Sequence, residues 1–153
     1  MIRSILIGLV AGQRAMTPLA VLAGAARRGT LRADDDATQL LANPLVATGA
    51  VALAAAEMAG DKMKTAPDRI VALGLAARLI TSSFAGAVLA PKDKRAVGAL
   101  LGAATAVGSS YLGFTVRIAA MRRYGQTSTG FVEDAIVLAS GWAIANARPA
   151  ART

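Results

Sequence analysis

Two arginines lie inside long apolar stretches of this 153-residue chain. Arg14 is followed after two residues by Thr17, and Arg78 after two residues by Thr81, so each guanidinium has a hydroxyl about one helical turn away. A charge at the centre of a membrane-spanning helix costs at least about 2.5 kcal/mol, and it usually marks a functional site. We therefore expect these four residues to bind an anionic or zwitterionic solute through charge-assisted hydrogen bonds.

A simpler hypothesis is that each arginine pairs with a carboxylate or with freed backbone carbonyls and only holds helices together. Glu57 lies inside the edge of an apolar stretch, so it is a candidate partner, a substrate-binding residue or a proton carrier. Asp61 and Lys62 follow it and favour an ordinary salt bridge at the membrane boundary. Glu133 and Asp134 are predicted to open the last helix and to complement its N-terminus.

The residues around Arg14 predict an interruption of the first helix, in the stretch Gly12-Gln13-Arg14-Ala15-Met16-Thr17-Pro18. Pro18 has no N–H to donate to the carbonyl of Arg14, and its ring crowds that turn. A membrane tolerates unwound backbone only where protein or a water-filled cavity surrounds it. The alternative is a plain proline kink in a continuous helix.

The composition is that of a helical membrane protein. Hydrophobic residues make up 55% of the chain, charged residues 17% and aromatic residues 4%, and the mean hydropathy is +0.51. Soluble domains carry about 25% charged residues, and the Ala, Leu, Val and Gly that dominate here suit packed helices better than sheets. Because the chain has no Cys and no His, thiol chemistry and the usual zinc sites are excluded. We expect no enzyme activity, no metal and no cofactor.

The predicted fold is all-α and polytopic, with four to five transmembrane helices in one domain over 1–148 and a tail at 149–153. A helix needs about 20 apolar residues to cross a bilayer. The candidate spans are 37–56, 96–116, 4–26 with Arg14, 70–90 with Arg78, and the shorter 135–147. The shared Arg-x-x-Thr pattern also suggests an internal repeat that relates 8–26 to 72–90, as in repeat-built transporters.

The net charge of +8 is spread between the apolar stretches rather than clustered on one polar face. This pattern favours membrane lipid as a partner and argues against nucleic acid. Five spans would divide Lys and Arg almost evenly between the two sides, whereas a re-entrant first segment would favour a cytoplasmic N-terminus. Two G-x-x-x-G spacings, Gly8 to Gly12 and Gly98 to Gly102, favour close helix packing, and we expect a homodimer.

Several of these residues also match a known family. The stretch from Glu57 through Asp61-Lys62 to Pro67-Asp68-Arg69, together with the early Arg-x-x-x-Pro and the late Glu-Asp, resembles the small bacterial integral-membrane family called domain of unknown function 4126. The resemblance covers nearly the whole chain and implies a polytopic helical protein of the bacterial inner membrane, with no established activity. The matched positions are Arg14, Pro18, Glu57, Asp61, Lys62, Pro67, Arg69, Glu133 and Asp134.

The residues together predict a small integral membrane protein that binds or transports a small solute or ion, with an anion favoured, near the bilayer midplane. The alternative is a non-transporting accessory or scaffold subunit of a larger membrane complex, whose Gly and Ala surfaces dock other helices. An enclosed polar cavity would favour the first hypothesis. An exposed groove of small residues, with both arginines neutralised, would favour the second.

Overall fold

The computed structural model describes residues 1–60 and 72–147, and in these ranges the chain is helical and contains no strand, which confirms the all-α prediction. Four of the residues singled out above, Asp61, Lys62, Pro67 and Arg69, lie outside the described residues, as does the tail 149–153. A 3₁₀ turn, Lys92–Lys94, precedes the sixth helix. The helices are α1 (Ile2–Gln13), α2 (Thr17–Arg27), α3 (Asp36–Ala42), α4 (Pro44–Gly60), α5 (Ala72–Leu89), α6 (Arg95–Tyr124) and α7 (Gln126–Asn146).

Two of the described helical stretches are long and apolar enough to cross a membrane: α5, with 18 residues, and Lys92–Tyr124, with 33 residues, which contains α6. A third candidate is α3 with α4, which together qualify if their bend of 72° lies within one span. The bend falls at Asn43-Pro44, and the Asn43 side chain accepts a hydrogen bond of 2.9 Å from the N–H of Leu45. Length and composition thus support two to three crossings rather than the four to five predicted.

Helices α1 and α2 form a hairpin whose outer ends lie at the same end of the bundle. Arg3, at the start of α1, donates from Nε to the carbonyl of Ile144 over 3.1 Å. Arg28, just after α2, donates to the side chain of Asn146 over 3.2 Å. Both outer ends therefore lie beside the C-terminal end of α7, and we call this end of the bundle the Arg3 end.

Deeper in the bundle, α1 and α2 stay side by side against α7. Val10 of α1 and Val21 of α2 both approach Gly141 of α7. The chain thus enters from the Arg3 end, turns within residues 14–16 and returns to the same end. With 12 residues in α1, the turn lies about 18 Å into the bundle at ~1.5 Å per residue. The segment 4–26 is therefore a hairpin of two helices rather than one continuous helix.

The break itself lies where the sequence predicts it. Arg14 has an extended backbone, with φ −141° and ψ 114°, so the α1 ladder stops at Gln13. Pro18 lies in the first turn of α2, where its missing N–H has no intrahelical partner to lose. The second half of the suggested repeat, 72–90, is different because α5 runs through it without a break.

Helix α6 packs closely on α1 and α5 at glycines. A Cβ at Gly102 would overlap the carbonyl oxygen of Ser82 on α5, and one at Gly12 would lie 2.6 Å from the carbonyl oxygen of Ala106 on α6. Backbones can approach this closely only where side chains are absent. The two predicted G-x-x-x-G motifs therefore form contacts within one chain, through Gly8, Gly12, Gly98 and Gly102.

Helices α6 and α7 meet at Gly125 and diverge from it, because α1 packs against both of them at the far side. We call this the Gly125 end. A single residue at φ +82° makes the turn, since α6 continues to Tyr124 and α7 begins at Gln126.

The bundle carries many of its large apolar side chains on the outside. Ile7 and Leu22 are fully buried, but so are polar side chains such as Ser4, Ser82 and Ser110. A core that mixes polar and apolar side chains beneath a largely apolar exterior differs from that of a typical water-soluble protein. The most exposed large apolar residues include Leu45, Leu73, Ile80, Leu100, Leu112, Val116, Phe131 and Trp142.

Candidate functional site

Charged side chains from four helices meet at the turn of the hairpin. Three are arginines and three are carboxylates, so their formal charges cancel. Each of them contacts either the turn or another member of the group, which puts the group in the middle of the bundle. We call these six residues the tip cluster: Arg14, Glu57 on α4, Arg78 on α5, Arg117 on α6, and Glu133 and Asp134 on α7.

Arg14 is the most buried charge of the cluster, with 1% of its surface exposed. Its Nε lies 2.8 Å and its Nη2 2.7 Å from Oδ1 of Asp134. Its Nη1 donates to the carbonyl of Gln13 over 3.2 Å and lies 4.0 Å from Glu133. Burial of a guanidinium is tolerable when a carboxylate and backbone oxygens surround it in this way. The predicted N-terminal role of the two acidic residues is therefore wrong, because both lie inside α7.

Arg117 forms the second ion pair, with Nη1 at 2.8 Å from Oε2 of Glu133. Arg117 lies eight residues before Gly125 and Glu133 eight residues after it, so the pair bridges the two diverging helices. The sequence places Arg117 among the charges that separate apolar stretches, and its role in the pair was not predicted. A signal for it existed: Gly98, Gly102, Ala106 and Ser110 recur at the spacing of one helix face, and Arg117 continues that face.

Arg78 donates a hydrogen bond to the backbone at the broken end of α1. Its Nε donates to the carbonyl of Gly12 over 3.1 Å, and the hydroxyl of Ser110 donates to the same oxygen over 3.2 Å. In a continuous helix this carbonyl would accept the N–H of Met16. The hypothesis that an arginine satisfies a carbonyl freed by the break is thus confirmed for Arg78.

Glu57 accepts hydrogen bonds from the backbone on the other side of the break. Its two carboxylate oxygens accept hydrogen bonds from the N–H groups of Ala15 and Met16, at 2.7 Å and 2.8 Å. These donors precede α2, whose N-terminal dipole also favours a negative charge there. Glu57 is therefore an anion held at the start of α2 by the chain itself, rather than the direct partner of an arginine.

The two threonines predicted to bind solute have different surroundings. The hydroxyl of Thr17 is fully buried and has no hydrogen-bond partner among the described residues. Thr81 donates to the carbonyl of Ala77 in its own helix over 2.9 Å and lines a separate apolar groove of about 410 Å³ beside α2 and α4. The structure places Thr17 next to the turn and leaves Thr81 outside the tip cluster.

A cavity of about 740 Å³, open to the outside of the bundle, lies between the diverging halves of α6 and α7 and ends on the tip cluster. It exists because the hairpin fills the space between these helices only from the Arg3 end. Gln13, Arg117 and Glu133 lie at its floor and expose only a small part of their polar surface to it, while Ser128 and Thr129 lie nearer the Gly125 end. Its walls are apolar, formed chiefly by Leu112, Val116, Val132 and Ile136.

Gln13 connects this floor to α6. Its Nε2 donates to the carbonyl of Ser109 over 2.9 Å and to the hydroxyl of the same residue over 2.8 Å. The hydroxyl of Ser109 in turn donates to the carbonyl of Leu9 over 2.8 Å. These bonds fix the position of the turn against α6, so the floor is held by the packed part of the bundle.

The arrangement can bind a small molecule that presents an ionic group to the floor and an apolar group to the walls. Its volume is in the range of about 300–1,000 Å³ that is usual for small-molecule sites. No model of a known protein family matches the chain, and no curated protein and no solved structure matches it either.

Proposed function

We propose that the protein is an integral membrane protein that binds a small charged solute at the tip cluster and provides a path for that solute across the bilayer. The observation that carries the proposal is the cavity that ends on Arg117 and Glu133. Helices broken near the middle of a membrane are typical of transporters, in which the broken ends form the substrate site. Charged residues at that depth also mark transport pathways more often than other sites.

We propose that the three candidate spans, α4 with α3, α5 and α6, cross the bilayer and that the hairpin enters it from the Arg3 end. We also propose that α7 crosses beside them, although it is not among the candidate spans, because it runs from Gly125 back to the Arg3 end. The hairpin is about 18 Å deep, and the hydrocarbon core is about 30 Å thick, so its turn lies near the midplane. Two exposed aromatic residues, Tyr124 near the Gly125 end and Trp142 near the Arg3 end, suit the two interfaces.

The orientation follows from the re-entrant hairpin. Seven described Lys and Arg residues lie at the Arg3 end, and two, Arg122 and Arg123, lie at the Gly125 end, while Lys62, Lys64, Arg69, Arg148 and Arg152 lie outside the described residues and are not counted. The positive-inside rule then places the Arg3 end in the cytoplasm. The cavity therefore opens toward the other side of the membrane. The seven are Arg3, Arg27, Arg28, Arg32, Lys92, Lys94 and Arg95.

Flux through proteoliposomes tests the proposal, and the absence of cysteine makes a clean labelling experiment available. Thr129 lines the cavity, whereas Thr127, two residues earlier on the same helix, is exposed and does not line it. A bulky maleimide on Thr129→Cys should lower the flux of a transported solute severalfold, and the same label on Thr127→Cys should not. The solutes tested are a small amino acid, a small carboxylate, a small amine and chloride.

The accessory-subunit hypothesis has one observation in its favour. The described charges of the tip cluster pair within the chain, so their contacts also explain how the hairpin is held. This hypothesis expects no flux of any of the four solutes, and no effect of the label at either threonine. Such a result would overturn the transport proposal.

The expected homodimer remains a prediction. The glycines of both G-x-x-x-G motifs are in contact within the chain, so an interface between two copies needs other surfaces. Native mass spectrometry in a mild detergent should show a dimer with bound lipid. A uniform monomer would contradict the prediction without bearing on the cavity.

A further inference from the structure

The ion pair on the cavity floor determines which solutes can bind there at low cost. Arg117 and Glu133 lie 2.8 Å apart, and their side chains are only 8% and 16% exposed. Glu133 also lies 4.0 Å from the guanidinium of Arg14. Charges of both signs therefore border the cavity at one place, and neither sign is in excess among the described residues of the tip cluster.

A solute with a single charge must compete with one member of this pair. An anion that takes the guanidinium of Arg117 deprives the carboxylate of Glu133 of its closest charge partner and leaves it the guanidinium of Arg14 at 4.0 Å. A cation that takes Glu133 deprives Arg117 of its closest carboxylate in the same way. Loss of one partner from a buried ion pair is strongly unfavourable because the other charge has been removed from water and is no longer compensated.

A solute that carries both charges avoids this cost. Its anionic group can bind Arg117 while its cationic group binds Glu133, so every charge keeps a partner of opposite sign. The two groups must be close together, because the side chains that receive them lie in direct contact. The rest of the solute then faces Val116, Val132 and Ile136, which form the apolar walls.

We infer that the cavity between α6 and α7 selects small zwitterions with neighbouring anionic and cationic groups and an apolar substituent. Arg117 binds the anionic group of the solute, and Glu133 binds its cationic group. This inference rests on the proposed function because it names the solute class of the same site. It narrows the expectation of an anion, which followed from the arginines before their carboxylate partners were known.

Three probes of matched shape test the inference: leucine, 4-methylpentanoate, which lacks the amine, and 3-methylbutylamine, which lacks the carboxylate. Binding to the purified full chain in detergent is measured by isothermal titration calorimetry. We expect leucine to bind at least tenfold more tightly than either single-charge probe. A wild-type protein that binds either single-charge probe as tightly as leucine, or that binds none of the three, overturns the inference.

Charge variants make the test specific for the two residues. Glu133→Gln should shift the preference toward 4-methylpentanoate, and Arg117→Gln toward 3-methylbutylamine, each by tenfold or more relative to leucine. The double variant keeps the floor neutral and should lose the preference for leucine, which covers the case that a single variant does not fold. Asp93→Asn, an exposed change of the same type near the Arg3 end, should leave all three affinities unchanged.

The inference and the proposed function can fail separately. If the labelled Thr129→Cys blocks the flux of chloride or of a carboxylate and leucine does not bind, the transport proposal stands and the zwitterion inference is wrong. If leucine binds with the expected charge dependence and no solute crosses, the site is a zwitterion receptor and the path is wrong. An unchanged preference in both charge variants also contradicts the inference.

Discussion

Two sets of ion pairs in this molecule use the same chemistry in opposite surroundings. At the Arg3 end, Lys92 lies 2.5 Å from Asp34, with side chains 52% and 70% exposed. In the middle of the bundle, Arg14 lies 2.7 Å from Asp134, with side chains 1% and 9% exposed. Water can replace either partner of the outer pair, whereas nothing replaces a partner of the inner pair. The distance between two charged groups therefore does not by itself determine how much their ion pair contributes to stability.

The largest difference between the two sets should appear when one carboxylate is neutralised. Asp134→Asn leaves the buried guanidinium of Arg14 without its closest charge partner, and we expect a loss of about 3–5 kcal/mol of stability. Asp34→Asn makes the same chemical change in the outer pair and should cost far less stability. Denaturant unfolding in detergent, followed by circular dichroism, measures both. Equal losses would show that burial does not separate the two sets.

The inner pairs depend on the close approach of α6 to its neighbours, and glycine substitutions test that dependence. In Gly102→Ala the new methyl overlaps the carbonyl of Ser82, so we expect a loss of about 1–3 kcal/mol. Gly108 lies on the same helix, and a Cβ added there would meet no atom within 4 Å. Gly108→Ala should therefore be neutral or stabilising by up to about 1 kcal/mol, since Ala is the better helix former. Thermal unfolding of the two variants measures the contrast.

Glu57 is the inner carboxylate that binds backbone rather than an arginine, and it sharpens the comparison. Glu57→Gln replaces one accepting oxygen by an NH₂ group, so one of the two N–H groups at the turn loses its acceptor. We expect a loss of about 1–2 kcal/mol. Hydrogen exchange should be faster at Ala15 and Met16 in the variant. Exchange equal to that of the wild type at both amides would contradict the contacts described for Glu57.

The smallest effect should be the pH dependence of the exposed Asp34–Lys92 pair. The hydrogen bond from Lys92 and its charge hold the pKa of Asp34 below its ordinary value of 3.8. At Asp35, burial acts in the opposite direction, but the hydrogen bond and charge of Arg95 hold the pKa below the same value. A carboxyl with a lower pKa in the folded chain stabilises it above its unfolded pKa and loses that contribution as the pH falls through the folded pKa. The melting temperature should therefore fall below about pH 4, and the fall should be shallower in Lys92→Met. Identical pH profiles would mean that the Asp34–Lys92 pair does not contribute.

Part of the site could be predicted because the signal is local. Arg14, Glu57 and Asp134 are conspicuous as charges in or beside apolar stretches, and Pro18 points to the break. The pairing of these charges was not predictable, since Arg14 and Asp134 are separated by 120 residues and only the packing of α1 on α7 brings them together. For the same reason Arg117 resembles a loop charge in the sequence: its burial depends on α7 folding back at Gly125.

The sequence by itself determined the helical class, the apolar exterior and the position of the break, because composition and a proline act on each stretch of chain independently of the rest. The tertiary structure alone decided that the first segment returns to its starting end and that its charges are compensated from α7. It also decided that the cavity lies beyond the turn. A re-entrant hairpin and a kinked crossing helix have the same local sequence requirements, and they differ only in which neighbours accept the two halves. The hydrogen bonds from Arg3 and Arg28 to the end of α7 show that both halves of the segment end on the same side of the bundle, as a hairpin requires.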